Sequence, residues 1–561
     1  MLMIDFFLKG RRNPHFTGRK SILKDLQDGL KGGGPVVLLG PDGMGKSAIA
    51  EEHGRIHVDR YDFRLWVRAW DGTVLASDYA DLAEPLGIPH QEDSDLQDLA
   101  SSVRTWLEEN GRWLLVFDDA PSPSVLEGDL PRAGPGGGEV IITSKSRGWG
   151  GASAAIIEVG PLAPSEAAAF LQIRAGQEDR AASEKLAEFL EGNPLALELA
   201  GAYIRWTGIS LSRYLDAYKK QLDEISGRTF PGCSEALAAV VEISMEQVRA
   251  VSQEGVDLLN LSAFLAPEDL PVDLLVNTSA LLPESVDLGL LALDRRGLVR
   301  HDEGSLSVHP LVQALAFGRL DDDSRKTWAD ETVRAIGGAF GSYLEDLSTW
   351  PECARLLPHA LASSKRVEDL GVGSEPASLL LNQVGLYLHR RGDLAGAKAV
   401  LERLLVVDER FYGPGHSEVA TDLNNLGSVL RVLGDLVAAK EIFERALAIE
   451  EAQETPDQLK IAIRANNLGT VLRSLGDLDG ALAAFERALA IDRDAYGPNH
   501  FKTAIRLNNL GEVLQEMGDL DGAKDSYQRA FRVFQQFLGP GHHYTQRARE
   551  NLDSLSQRGS D

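Results

Sequence analysis

Gly40-Pro41-Asp42-Gly43-Met44-Gly45-Lys46-Ser47 decides how the first part of this chain folds. It reads G-x-x-x-x-G-K-S. The apolar run Val36-Val37-Leu38-Leu39 precedes it, and the helix-compatible Ala48-Ile49-Ala50-Glu51-Glu52 follows. A strand, a glycine-rich turn and a helix are the context in which this pattern cradles phosphate. Glycines let successive N–H groups converge on one anion, and the helix N-terminus adds partial positive charge. The cradle predicted here runs through Gly43, Met44, Gly45 and Ala48. Lys46 is placed to reach β- and γ-phosphates, and the Ser47 hydroxyl to ligate Mg²⁺.

Working outward, short β-branched runs alternate with helical or loop segments: 63–67, 112–119, 139–144 and 155–159. That alternation predicts a mostly parallel sheet with helices on both faces, an α/β P-loop NTPase fold. Leu114-Leu115-Val116-Phe117-Asp118-Asp119 is a buried strand ending in two carboxylates. Asp118 is expected to hold Mg²⁺ and Asp119 to orient or deprotonate an attacking water. Lys145 and Arg147, after the next strand, stand where a γ-phosphate sensor would sit. Ordinary readings compete: an Asp-Asp turn cap and a polar strand end.

The order FTGR, GPDGMGKS, LLVFDDA, VIITSKSR, VGPLAPSEAAAFL, EGNPLALELA and SVHPLVQ resembles the NB-ARC nucleotide switches of the STAND class of signal-transduction ATPases, over about residues 13 to 320. The resemblance implies that Arg19 and the backbone near Phe16 contact the nucleotide. It implies that Pro194 packs on adenine and that His309 touches the ADP β-phosphate at rest. Bottom-up, Asn193-Pro194 also reads as a helix cap and first turn, and His309 as the residue before a helix-starting proline. The sequence departs from the family in two places: Lys145 stands where arginine is usual, and the methionine expected before the histidine step is missing.

Residues 1–160 are thus read as the nucleotide-binding domain and 161–234 as a helical lid. Residues 235–320 form a winged helix, with helices and then a hairpin turning at Gly304. Residues 321–376 are linker helices or a degenerate repeat. Residues 377–561 repeat with a period of 42, with Gly385, Gly427, Gly469 and Gly511 in register, as are Gly392, Gly434, Gly476 and Gly518. Each unit is a helix, a glycine turn and a second helix, resembling tetratricopeptide repeats in the longer form of kinesin light chains; the usual period is about 34. An all-α solenoid with a concave groove follows. Asn425, Asn467 and Asn509 are expected to face that groove and bind an extended peptide, with Arg431 and Arg473 receiving a carboxylate. The competing reading makes the asparagines bridges between neighbouring helices.

The formal net charge of −27 argues against nucleic acid. No apolar run is long enough to span a membrane, no signal peptide is evident, and two distant cysteines fit a reducing cytoplasm. The expected function is an ADP/ATP-switched regulatory ATPase with slow hydrolysis. Its repeats sense a peptide or protein, and it self-associates in the ATP state. The alternative is a constitutive repeat scaffold with a structural nucleotide. About a dozen residues precede the resembling region, too few for an effector domain, so the effector is a separate protein or the chain is a shortened relative.

Overall fold

Strand Trp113–Asp118 is buried along its whole length, as only a central strand covered on both faces can be. It is β4 of a six-stranded sheet. The others are β1 (Ile4–Asp5), β2 (Val36–Leu39), β3 (Phe63–Arg68), β5 (Glu139–Ser144) and β6 (Ala155–Glu158). Their order is β1-β3-β4-β5-β2-β6, with every pairing parallel. The computed structural model describes residues 4–5, 15–89, 95–132, 137–151, 154–228, 230, 232–276, 283–302, 304–344, 347–371 and 375–558.

Alternation along the strands builds two cores. Val37, Leu65, Val67, Leu115, Phe117 and Ile142 face one side, with residues of helices Gly72–Asp81 and Leu96–Glu109. Val36, Leu38, Leu114, Val116 and Ile141 face the other, with residues of helices Lys20–Leu30 and Lys46–Ile56. The five longer strands lie where the sequence places them. The two-residue β1, at the sheet edge, has no sequence signal, because two residues carry no periodicity.

Four helices follow the sheet: Pro164–Ala175, Arg180–Phe189, Pro194–Thr207 and Leu211–Ile225. Asp179, Asn193 and Ser210 each accept backbone N–H bonds at a helix start, a cap typically worth about 1 kcal/mol. Helices Glu235–Val251, Gln253–Ser262 and Pro283–Asp294 then accompany a small antiparallel sheet. It is ordered β7-β9-β8, from β7 (Leu270–Pro271), β8 (Arg300–Asp302) and β9 (Ser305–Ser307).

The chain divides into two compact units, 1–393 and 394–561. The division falls after helix Glu375–Arg390, which keeps the repeat register yet packs inside the first unit. Its Tyr387 makes edge contacts with Phe340 (5.5 Å) and Trp350 (5.8 Å), which anchors it there.

The second unit is helical throughout its described residues. Gly434, Gly476 and Gly518 take left-handed φ values of 84°, 83° and 89° at the turn inside each repeat. The aspartate that follows each, Asp435, Asp477 and Asp519, caps the next helix. The repeated Gly-Asp-Leu is therefore a stop followed by a start. A Cβ at Gly427, Gly469 or Gly511 would come within 2.8, 3.0 or 2.7 Å of the rings of Phe443, Phe485 or Tyr527. The paired helices pack at that distance because the glycine has no side chain. Helices of 16 to 19 residues account for the long period.

Candidate functional site

The phosphate-loop motif sits between the end of β2 and helix Lys46–Ile56. Gly43 and Gly45 hold φ of 81° and 82°, the curl that aims backbone N–H groups inward. The Lys46 ammonium is buried within the loop's own curve. It donates to the carbonyls of Gly40 (2.8 Å) and Pro41 (2.9 Å) and lies 3.7 Å from Asp42. Burial lowers its pKa, opposed by Asp42, Asp119 and Asp118.

Sheet order places Asp118 at the end of β4, two strands from the loop strand, with β5 between them. Ser47 Oγ donates to Asp118 Oδ1 at 2.8 Å, and Thr143 Oγ1 donates to the same oxygen at 2.5 Å. The Asp119 N–H in turn donates to Thr143 Oγ1 at 2.8 Å, with Asp119 in the left-handed region at φ 57°. Asp118 is pushed up to about 6, first by burial and then by the carboxylate of Glu268, while its two hydroxyl donors pull the other way. A hydroxyl and a carboxylate already in contact are the oxygen donors that suit Mg²⁺. Among the described residues no group of three or more His, Cys, Asp or Glu could hold a metal ion, so any metal here relies on ligands beyond such a cluster.

Lys145 reaches the cluster: its ammonium donates to Asp42 at 3.2 Å. Burial would lower its pKa, but Asp119 and Asp42 outweigh that and raise it. Arg147 is exposed in the turn beyond and joins none of the hydrogen bonds described for the cluster.

Arg19 is buried at φ 60° and braces the loop from outside. Its guanidinium donates to the carbonyls of Met44 (3.1 Å), Gly160 (2.6 Å) and Pro161 (3.2 Å). Its own N–H donates to Glu166 at 3.0 Å, tying helix Pro164–Ala175 to the loop. Phe16 is half-buried and packs on the core that also takes in Met44. Asn193 caps its helix by accepting from Leu195 N–H (3.0 Å) and Ala196 N–H (3.1 Å), with Pro194 in the first turn. The helix-cap reading is thus what the backbone shows at this motif.

A cavity of about 190 Å³ opens beside the loop. Pro41, Asp42 and Met44 line one side; Asn193, Cys233 and Leu311 line others. Asn193 lines this cavity, whereas Pro194 is not among its lining residues. His309 caps the helix that begins at Pro310, its Nδ1 accepting from Leu311 N–H at 3.1 Å. That bond assigns the ring proton to Nε2, leaving an N–H to donate. Burial lowers His309 to about 4, with Asp42 raising it and Lys46 lowering it, so the ring is neutral at pH 7 and within electrostatic reach of the loop.

Several residues at this site had no signal in the sequence. Asp42 occupies a variable position of the motif yet joins Lys46 to Lys145. Thr143 holds both Asp118 and the Asp119 backbone. Glu268 comes from the stretch between helix Gln253–Ser262 and β7, where nothing local distinguishes it. Burial raises its pKa while Arg68 and Arg300 oppose.

On the solenoid, the asparagines form a ladder. Asn467 Nδ2 donates to Asn424 Oδ1 (2.9 Å), Asn509 to Asn466 (2.8 Å) and Asn551 to Asn508 (3.2 Å). Two of these bonds join the second asparagine of one repeat to the first of the repeat before; in the third, Asn551, which follows Glu550, occupies the second position. The sequence signal is the Asn-Asn doublet. Asn425 is half-buried on the same helix face. Arg473 is ion-paired with Glu512 and lies 3.7 Å from Glu516, whereas Arg431 is exposed.

Residues 376–452 and 461–536 match the tetratricopeptide repeat model, so the C-terminal helices are tetratricopeptide repeats. A nucleotide-binding leucine-rich repeat (NLR)-like protein of Hyaloscypha variabilis is 22% identical over 465 residues, covering 74% of this chain and 46% of that protein. Regulatory protein AfsR of Streptomyces coelicolor is 28% identical over 328 residues, covering 51% of this chain and 31% of AfsR. The chain therefore spans less than half the length of these curated relatives. A STAND protein with a tetratricopeptide repeat sensor from Pyrococcus horikoshii aligns over 97% of this chain and 87% of its own, at 16% identity and a TM-score of 0.41. No helix among the described residues is long and apolar enough to cross a membrane.

Proposed function

We propose that this chain is a regulatory ATPase of the STAND class, in which ADP holds the molecule closed and exchange for ATP opens it. The observation that carries this reading is the convergence of the phosphate loop, Asp118 and the winged-helix residues His309 and Leu311. Leu311 Cδ1 lies 3.2 Å from where a Cβ on Gly43 would stand. The name of the Hyaloscypha relative, a nucleotide-binding protein, supports the ligand class.

Each residue has a role that its surroundings allow. The loop N–H groups and Lys46 bind the phosphates; Lys46 exchanges its carbonyl partners for phosphate oxygens. Ser47 and Asp118 would hold Mg²⁺, which would supply charge neutralisation of the phosphates when bound. Asp119 orients the attacking water, and Lys145, held on Asp42, meets the γ-phosphate. His309 donates from Nε2 to a β-phosphate oxygen and so ties the winged helix to the nucleotide. The cavity beside Met44, Asn193 and Cys233 takes the nucleoside.

The repeats bind a protein or peptide, and that binding favours the open, self-associating form by whatever difference in affinity the ligand has for the two forms. Because the ladder uses one N–H of Asn467 and of Asn509, the peptide reading of the groove rests on the remaining amide capacity and on Arg431. Calorimetry with ADP and ATP, with and without Mg²⁺, tests the core of the proposal. Micromolar or tighter binding is expected; an absence of heat with both nucleotides would overturn it.

A further inference from the structure

Asp42 is the one carboxylate inside the phosphate-loop motif, and it touches both cations assigned to phosphate. Its Oδ1 lies 3.7 Å from Lys46 Nζ, and its Oδ2 accepts from Lys145 Nζ at 3.2 Å. It also lines the cavity beside the loop. A carboxylate here repels the anion that the loop's N–H groups collect. Among the described residues the two ammoniums are its only hydrogen-bond and ion-pair partners, so no helix cap accounts for it.

The two pairs differ in what depends on them. Lys46 is buried and is held by the carbonyls of Gly40 (2.8 Å) and Pro41 (2.9 Å), with or without a carboxylate nearby. The Lys145 ammonium, on the turn after β5, bonds among the described residues to Asp42 alone. Any other acceptor that engages Lys145 therefore competes with Asp42.

We infer that Asp42 competes with the γ-phosphate for Lys145 and thereby sets the site's preference for ADP over ATP. The inference rests on the reading proposed above, in which Lys46 serves the β- and γ-phosphates and Lys145 the γ-phosphate. ADP disturbs only the looser pair, at 3.7 Å, whose ammonium keeps two other acceptors. ATP disturbs the closer pair as well and brings a further negative charge. Asp42 also orders Lys145, which works the other way. That effect is the smaller one: the side chains of this pair are 55% and 28% exposed, and ion pairs so open to water shift an equilibrium by about fivefold at most. Repulsion between the carboxylate and a phosphate beside buried Lys46 is less screened and exceeds it.

Calorimetry on the full chain with ADP and with ATP, at fixed Mg²⁺, gives the ratio of the two affinities. In Asp42→Asn, ATP should gain about tenfold more than ADP. Asp42→Ala removes the charge without supplying an amide and should move the ratio the same way. Asp42→Glu keeps the charge and should leave the ratio within about threefold of the parent. Asn and Ala variants that bind both nucleotides with the parent's ratio, or that shift it toward ADP, would overturn the inference alone. So would a Glu variant that shifts as far as Asn, because charge would then not be the cause. A parent that binds neither nucleotide would overturn it together with the reading it rests on.

Discussion

The phosphate-loop cluster and the solenoid assemble their surfaces in opposite ways. At the loop, Lys46, Asp118, Lys145, Glu268 and His309 arrive from five separate stretches of chain. They meet only because the sheet order and the later helices and small sheet bring them together. In the solenoid, the ladder bonds of Asn467, Asn509 and Asn551 each span 43 positions, one repeat plus one residue. The first arrangement concentrates charge in one place that responds as a unit. The second spreads similar contacts along an axis, so that a change in one repeat is felt mainly by its neighbours.

Mutations can break or sharpen this contrast. The largest effect is expected from Lys46→Ala, which removes the ammonium facing the phosphates. ADP and ATP should bind on the order of 100-fold more weakly by calorimetry, the size of one strong charge-assisted hydrogen bond. Solenoid stability should be unchanged. Asp118→Ala should abolish Mg²⁺-dependent turnover in a phosphate-release assay while sparing much of the ADP affinity. Retained turnover would remove the metal role.

In the solenoid, Gly469→Leu forces a side chain against Phe485, whose ring lies only 3.0 Å from where a Cβ at this glycine would stand. It should destabilise the repeats by about 1–3 kcal/mol in denaturant unfolding, with nucleotide affinity intact. The smallest effect is expected from Asn467→Ala. It leaves Asn424 Oδ1 without its donor and should cost about 1 kcal/mol of repeat stability. If that variant loses partner capture at unchanged stability, the amide serves a ligand as well as the ladder.

What could be read from the sequence followed the same division. The phosphate loop, the Asp-Asp strand end and the 42-residue period are local or periodic patterns, and the five longer strands and the paired helices lie where those patterns put them. The partners of the loop were not readable. Asp42 is a variable letter inside a motif, and Glu268 acts on Asp118 across 150 positions with no local mark. The groove shows the limit from the other side. Asn467 and Asn509 were visible as repeated residues, but whether they face a ligand or each other depends on a one-residue offset between adjacent repeats. That offset is a property of helix packing, which spacing does not encode. Likewise Arg473 reads as a free cation until Glu512 is found beside it.

The proposed contact between His309 and ADP is the point where the two halves of the switch proposal meet, and the ADP off-rate tests it most directly. His309 is neutral because burial lowers it to about 4. His309→Ala should release a fluorescent ADP analogue roughly 10- to 150-fold faster at pH 7, matching the loss of one charge-assisted hydrogen bond. An off-rate within about twofold of the parent would mean that His309 only caps its helix and that this part of the chain is not held through the nucleotide.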